Sequence, residues 1–224
     1  MALGSPFNES EFSNAMIDTG WQRKKDERPG EILDAALDLF VEKGFRATKM
    51  EDIARAAGVT KGTPYLYFEN KEELFKAVVR ETQVAHVTSM RERAAGHSGS
   101  ATELLFALLE DWWKESGSTR LAGLCKLMMA EATNFPELAA FYYAEVIAPS
   151  RAMMTSIVEF GVARGEFRPL DVAAAVDALM APIITSMVWN HSFGAMPGVA
   201  PVGRHDYASL MASLSLLLNG LTAR

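Results

Sequence analysis

Between Val59 and Leu74 the chain reads VTKGTPYLYFENKEEL, and within it Thr60, Lys61, Gly62, Thr63, Tyr65 and Tyr67 gather hydroxyls, an ammonium and two phenols, with Lys71 a turn further on. From Thr60 to Phe68 there is no carboxylate, histidine or cysteine. Such a set lacks the parts of an acid–base or metal site and has those for touching a charged partner rich in acceptor oxygens. Elsewhere the chain has no glycine-rich phosphate loop after a strand, no histidine pair at H-E-x-x-H spacing and no nucleophile motif, and its four histidines, at 86, 97, 191 and 205, do not cluster. No enzyme, no cofactor and no metal are expected.

Composition narrows the partner. The 224 residues, 49% hydrophobic, are enough to bury a core in one large or two small domains. The lone Cys125 excludes an internal disulfide, fits a reducing cytosol and, among apolar neighbours, reads as inert. The N-terminus has no basic region followed by an apolar run, and the apolar stretch from Ala178 to Trp189, interrupted by Pro182, is too short to span a bilayer. A soluble, cytoplasmic protein with no membrane partner is expected. The net charge of −6 is unevenly spread: residues 1–22 hold three acids and no base, residues 23–80 hold 12 bases against 11 acids, and residues 81–224 hold 10 against 14. Only the middle segment is not acidic, and Lys49, Lys61 and Lys71 fall at expected helix starts within it, either as one basic face or as ordinary solvated helix ends.

The positioning elements are helices nearly throughout. Ile32, Leu33, Ala36, Leu37 and Phe40 recur at helical spacing after Pro29, and Gly44 suits the C-terminal cap. Thr48 to Glu51 has the form of a capping box, opening a short helix with Met50, Ile53 and Ala54 on its apolar side. Ala57-Gly58-Val59 breaks it, and Thr60 is placed to cap the next helix, which runs to about Phe68. Pro64, which lacks an N–H, must forfeit that helix's first bond and delay or tighten its start. Two short helices about a glycine turn make a helix-turn-helix, in which the start of the second helix enters the major groove. The partner is then double-stranded DNA.

The stretch ILDAALDLFVEKGFRATKMEDIARAAGVTKGTPYLYFENKEELFKAVV, Ile32 to Val79, resembles the N-terminal domain of the tetracycline-repressor (TetR) family: Gly-Phe after helix one, Thr opening helix two, the AGV turn, and Gly-Thr-x-Tyr-x-Tyr-Phe before a Lys-Glu-rich helix four. The resemblance implies an all-α protein with an N-terminal three-helix DNA-binding domain (23–75, after a disordered tail over 1–22) and a larger helical ligand-binding and dimerisation domain (76–224). It places DNA contacts at Thr48, Lys49, Thr60, Lys61, Gly62, Thr63, Tyr65, Tyr67 and Lys71, and a basic arm at Arg23, Lys24, Lys25 and Arg28. It also implies a palindromic operator, repression, and release by a small hydrophobic ligand.

Past Arg80, helix four runs to about Arg93, a strongly amphipathic helix begins at Leu104, and a long one, kinked at Pro149, stops at Gly165. Asp171 caps a helix ending near Phe193, and Tyr207 to Leu221 form the last. These two terminal helices are too apolar to be covered by a few neighbours, which implies a partner or complete burial inside the monomer. In the family they pair with the same two helices of a second subunit, which puts Val176, Met180, Ile184, Leu210, Leu214, Leu217 and Leu221 at a homodimer interface. His86, Trp112, Trp113, Met128, Met129, Phe141, Met153, Met180 and Met187 are candidates to line an adaptable apolar pocket, or else form solid core. A helix-turn-helix protein controlled by a protein partner, or one without an inducer, is the alternative.

Overall fold

The computed structural model describes residues 28–196 and 205–222. The tail over 1–22 and the basic residues Arg23, Lys24 and Lys25 lie outside the described residues. Helix α1 (28–43) buries Ile32, Ala36, Leu37 and Phe40, and ends where Gly44 takes φ +84° and its amide donates to the Phe40 carbonyl at 3.0 Å. Helix α2 (Met50–Ala56) starts one residue later than a Thr48 cap requires. Lys49 is the N-cap, and no side-chain capping bond forms. Thr48 is instead 1% exposed, its hydroxyl shared between the carbonyls of Leu39 (3.1 Å) and Gly44 (2.8 Å). The last turn of α1 leaves carbonyls unpaired, and a buried hydroxyl satisfies them better than a solvent-facing cap would.

Gly58, at φ +66°, makes the turn of the motif, with the Val59 amide donating back to Ala54 O at 2.9 Å. The second helix of the motif is shorter than its sequence suggests: a 3₁₀ turn, Pro64–Leu66. An α-helix from Thr60 would need the N–H of residue 64 to reach the Thr60 carbonyl, and proline has none. That carbonyl accepts from Thr63 N at 2.9 Å instead, and the tight turns continue through Leu66 N to Thr63 O at 3.1 Å.

Helix α3 (Lys71–Val79), capped by Asn70, passes without interruption through a π turn (Arg80–Val84) into α4 (Ala85–Ala95). The boundary expected at residue 75 therefore falls inside a helical rod, and Val78, Val79 and Val87 beyond it belong to the N-terminal core. There follow α5 (Ala101–Trp112), a π turn (Trp113–Gly117), a 3₁₀ turn (Arg120–Ala122), α6 (Gly123–Glu131), α7 (Pro136–Tyr142), a π turn (Tyr143–Ile147) and α8 (Ala148–Ala163). The kink expected at Pro149 is expressed just upstream as the π turn, whose wider coil tolerates the missing N–H. Helices α9 (Val172–Asn190, capped by Asp171) and α10 (Tyr207–Leu221, capped by Asp206) complete the described chain, which contains no strand among the described residues.

Two hydrophobic clusters hold these helices. One centres on Phe40, Phe45 and Phe75 and extends through Phe135 to Met128, Tyr142 and Val146, so the DNA-binding domain is fused to α6 and α7 by shared core. The other joins α5, α8, α9 and α10. The leucine stripe of α10 faces this second core: Val176, Leu210 and Leu214 are 1%, 3% and 7% exposed, so these three are covered by their own chain and are not available to a partner. What α9 and α10 present outward is mostly small, Ala174, Asp177, Ala178, Ala181 and Thr185 on one and Ala208, Ala212 and Ser215 on the other, with Leu216 the one exposed leucine of α10. The segment Val172–Ala195 proves long and apolar enough to cross a membrane by length and composition, contrary to the reading from sequence, with only 22% of its most apolar window buried inside the chain.

Candidate DNA-binding surface and ligand cavity

At the motif, Lys49, Thr60, Lys61, Gly62 and Tyr65 are exposed and lie on one short stretch of surface with Leu66, an apolar tip 79% exposed that sequence reasoning did not single out. The Thr60 and Thr63 hydroxyls pair at 2.8 Å, holding the turn; Thr63 is itself mostly buried. Lys61 Nζ meets Glu51 Oε1 at 2.5 Å, tying the turn to α2. The hydrogen bond and charge of each partner hold the Glu51 carboxyl below its usual range and raise Lys61. Both side chains are open to water, so the pair exchanges cheaply for a phosphate. Tyr67 is half-buried against the N-terminal core, and Arg28 is half-buried at the start of α1.

Two expected contacts are engaged elsewhere. The Thr48 hydroxyl is buried as described. Lys71 Nζ donates to the carbonyls of Phe45 (2.7 Å) and Thr48 (2.8 Å) and lies 4.4 Å from the centre of the Phe45 ring, and burial lowers its pKa. Its ammonium caps the loop between α1 and α2 rather than pointing to a phosphate.

In the larger domain a cavity of about 300 Å³ is lined by residues of α4 to α10 and the adjoining turns. His86, Trp112, Met128, Met129, Met153, Met180 and Met187 line it, as do Ile184, Leu210 and Leu214, which were assigned to the dimer face. Trp113 and Phe141 do not. Trp113 packs on Tyr207 with ring centres 6.1 Å apart, and Phe141 carries the Arg80 guanidinium at 4.9 Å. The wall is drawn from both cores, Val87, Met128, Tyr142 and Val146 from the first and Leu105, Leu108, Trp112, Met153 and Leu179 from the second, so the cavity occupies their seam.

Among the described residues the wall contains no lysine, arginine, aspartate or glutamate. Its polar members are few. Gln83 Nε2 donates to Leu121 O at 2.9 Å, Ser150 Oγ donates to Val146 O at 2.7 Å, and burial pushes the Cys125 thiol up to about 11 and the Tyr142 phenol higher still, so both stay neutral. His86 Nδ1 is 2.8 Å from Glu115 Oε2. All three π turns bear on this region, through Gln83, Glu115 and Ile147. Sequence reasoning missed Gln83 and Glu115. Gln83 had a signal: Val79, Gln83, His86 and Met90 share one helical face, so a polar residue interrupts an apolar stripe. Glu115 had none. Near Arg120 the two domains are also clamped by charge, with its Nη2 2.7 Å from Asp34 and its Nη1 on Asp38.

Residues 32–78 match the family described as bacterial regulatory proteins, tetR family, and residues 95–194 match the tetracyclin repressor-like C-terminal domain. The fatty acid metabolism regulator protein of Bacillus subtilis (strain 168) is 26% identical over 204 residues, 88% of this chain and 98% of that protein. The HTH-type transcriptional repressor KstR2 of Rhodococcus jostii (strain RHA1) is 29% identical over 202 residues, covering 89% and 93%. Among solved structures, FadR from Bacillus subtilis in complex with stearoyl-CoA superposes with a TM-score of 0.69 at 25% identity, over 85% of this chain and 98% of that one. The ketosteroid transcriptional regulator KstR2 of Mycobacterium tuberculosis does so with a TM-score of 0.68 at 25% identity, over 88% and 96%.

Proposed function

Because the chain belongs to the tetR family and is a transcriptional regulator, we propose that it is a cytoplasmic, homodimeric repressor that holds a palindromic operator and releases it when an apolar or amphipathic small molecule fills the cavity. The observation that carries this reading is the position of the cavity: its wall belongs to both cores, one of which contains α1, α2 and the start of α3. An occupant that spreads Met128, Tyr142 and Val146 acts on the same packed cluster as Phe40, Phe45 and Phe75. The rod from Lys71 to Ala95 starts beside the recognition turn and reaches the cavity at Gln83 and His86, which gives the coupling a rigid element. Two relatives, one solved with stearoyl-CoA and one described as a ketosteroid regulator, support a ligand with a large apolar part.

On the DNA side, Lys49, Thr60, Lys61, Gly62 and Tyr65 make the contact surface, with Thr63 holding the turn and Tyr67 and Arg28 at its margin. The dimer forms through the outward alanine faces of α9 and α10, whose small side chains allow close helix approach, with Leu217 and Leu221 at the edge. That pairing also covers the apolar exposed face of α9. Two-fold symmetry then sets half-site centres about 34–36 Å apart, or a multiple of this.

A mobility shift with the genomic segment beside the protein's own coding region tests the reading. A segment bearing an inverted repeat is bound in preference to random DNA and is released by an apolar compound that enters the cavity. Equal binding to both DNAs, or no release by any compound that binds, favours control by a protein partner.

A further inference from the structure

Among the described residues, two buried side-chain polar atoms have no hydrogen-bond partner: Asp111 Oδ2, which faces Arg93 in an ion pair, and His86 Nε2. The His86 ring lines the cavity and its side chain is 8% exposed, whereas Glu115, on the far side of the ring, is 62% exposed. A carboxylate is an acceptor, so the 2.8 Å contact puts the hydrogen on Nδ1 and, in the neutral ring, leaves the lone pair on Nε2. With the ring neutral, the cavity wall carries, among the described residues, one buried side-chain acceptor without a partner in a largely apolar surface. The neighbouring polar groups do not quench it, because the Gln83 amide and the Ser150 hydroxyl donate to backbone carbonyls.

We propose that His86 Nε2 is the polar recognition point of the cavity and that the ligand is an uncharged, largely apolar molecule carrying a hydroxyl that donates to it. This rests on the ligand-responsive reading and narrows its chemical class. A carboxylate ligand fits poorly, since the wall offers no lysine or arginine among the described residues and Glu115 already occupies the other edge of the ring. A ligand that is only a hydrogen-bond acceptor meets lone pair against lone pair. A cavity of about 300 Å³ lies at the small end of ligand pockets, about 300–1,000 Å³. Glu115 is a positioning residue that fixes the tautomer.

The test is calorimetric titration of the full chain with three probes of similar size: decanol, methyl nonyl ether and decanoate. Decanol is expected to bind about tenfold more tightly than the ether, equivalent to about 1.4 kcal/mol, and more tightly than decanoate. His86→Phe is expected to keep ether binding and abolish the preference. Glu115→Gln, which frees the tautomer, is expected to reduce the preference without removing it. Should His86→Phe fail to fold, the decanol-to-ether ratio of the unmodified protein decides alone. Equal affinity for alcohol and ether, or tightest binding of decanoate, overturns the proposal while leaving the cavity a ligand site. Binding of none of the three overturns it together with the ligand-responsive reading.

Discussion

At the recognition turn, polar groups pair over short spans of chain near the surface: the exposed Thr60 with the buried Thr63, three residues apart, and Lys61 with Glu51, both open to water. In the cavity wall the buried His86 and Gln83 pair over long ones: His86 with Glu115 across 29 residues, and Gln83 with Leu121 across 38. The Lys61–Glu51 pair can be altered without disturbing the fold, because water replaces the lost partner. His86 and Gln83 cannot, because each is desolvated and its partner lies far along the chain. A surface for DNA is thus a local product of adjacent residues, and a ligand site is a product of the whole packing.

The largest effect that bears on this contrast comes from the cluster joining the regions. Phe75→Ala removes a fully buried ring that packs edge-on against Phe40 and Phe45, at 5.4 and 5.5 Å between centres. It is expected to cost about 3–5 kcal/mol and to lower stability in a single transition in urea. Two separate transitions, with the cavity still able to bind ligand after the first, break the idea of a shared core.

Next come the two residues whose side chains turn inward. Lys71→Met and Thr48→Val each strand buried carbonyls and are expected to cost about 1–3 kcal/mol in thermal unfolding, with no change in the salt dependence of DNA binding for Lys71→Met. A fall in the salt slope of about 1 with unchanged stability would return Lys71 to the phosphate contacts.

A smaller effect is expected at Glu166, which receives the amides of Ala101 (2.7 Å) and Thr102 (2.9 Å) and so caps α5 from the α8–α9 turn. Burial pushes its carboxyl up, but the hydrogen bonds of Thr102 and Ala101 and the charge of Arg164 hold it net below the usual range. A depressed folded pKa contributes stability above the unfolded value of about 4.3 and loses it as pH falls through the folded value. Glu166→Gln should therefore cost about 1 kcal/mol near neutrality, and the difference in melting temperature from the parent should vanish in acid. Smallest for stability is Lys61→Ala, at an exposed pair. It is expected to leave the melting temperature unchanged, lower the salt slope by about 1 and shift sequence preference. Equal loss on operator and random DNA would make Lys61 a positioning contact only.

Legibility followed the same division. Helix α1, the turns at Gly44 and Gly58, the Asp171 cap and the span of α10 were readable because caps, glycines and periodicity act within a few residues. Thr48 and Lys71 were misread because their partners, carbonyls at the ends of α1 and the following loop, are exposed or buried only by the tertiary fold. Leu210 and Leu214 were assigned to the wrong side of α10 for a related reason. A helix with leucines on one face and alanines on another has two faces that could be buried, and only the packing of α10 on α9 and α5 decides between them. The π turns left no pattern to read, and with them went Glu115. Met128, Met153 and Met187 were recognisable as cavity candidates by type, but nothing in spacing alone could separate them from Phe141, whose ring is covered by Arg80.

The most direct measurement is a reciprocal titration: an apolar compound that quenches or enhances Trp112 emission, measured with and without operator, and operator measured with and without the compound. Coupling through the shared core predicts that each weakens the other by the same factor, about 5- to 150-fold for about 1–3 kcal/mol. A compound that binds in the cavity with identical affinity in both titrations would contradict the coupling of cavity to DNA surface.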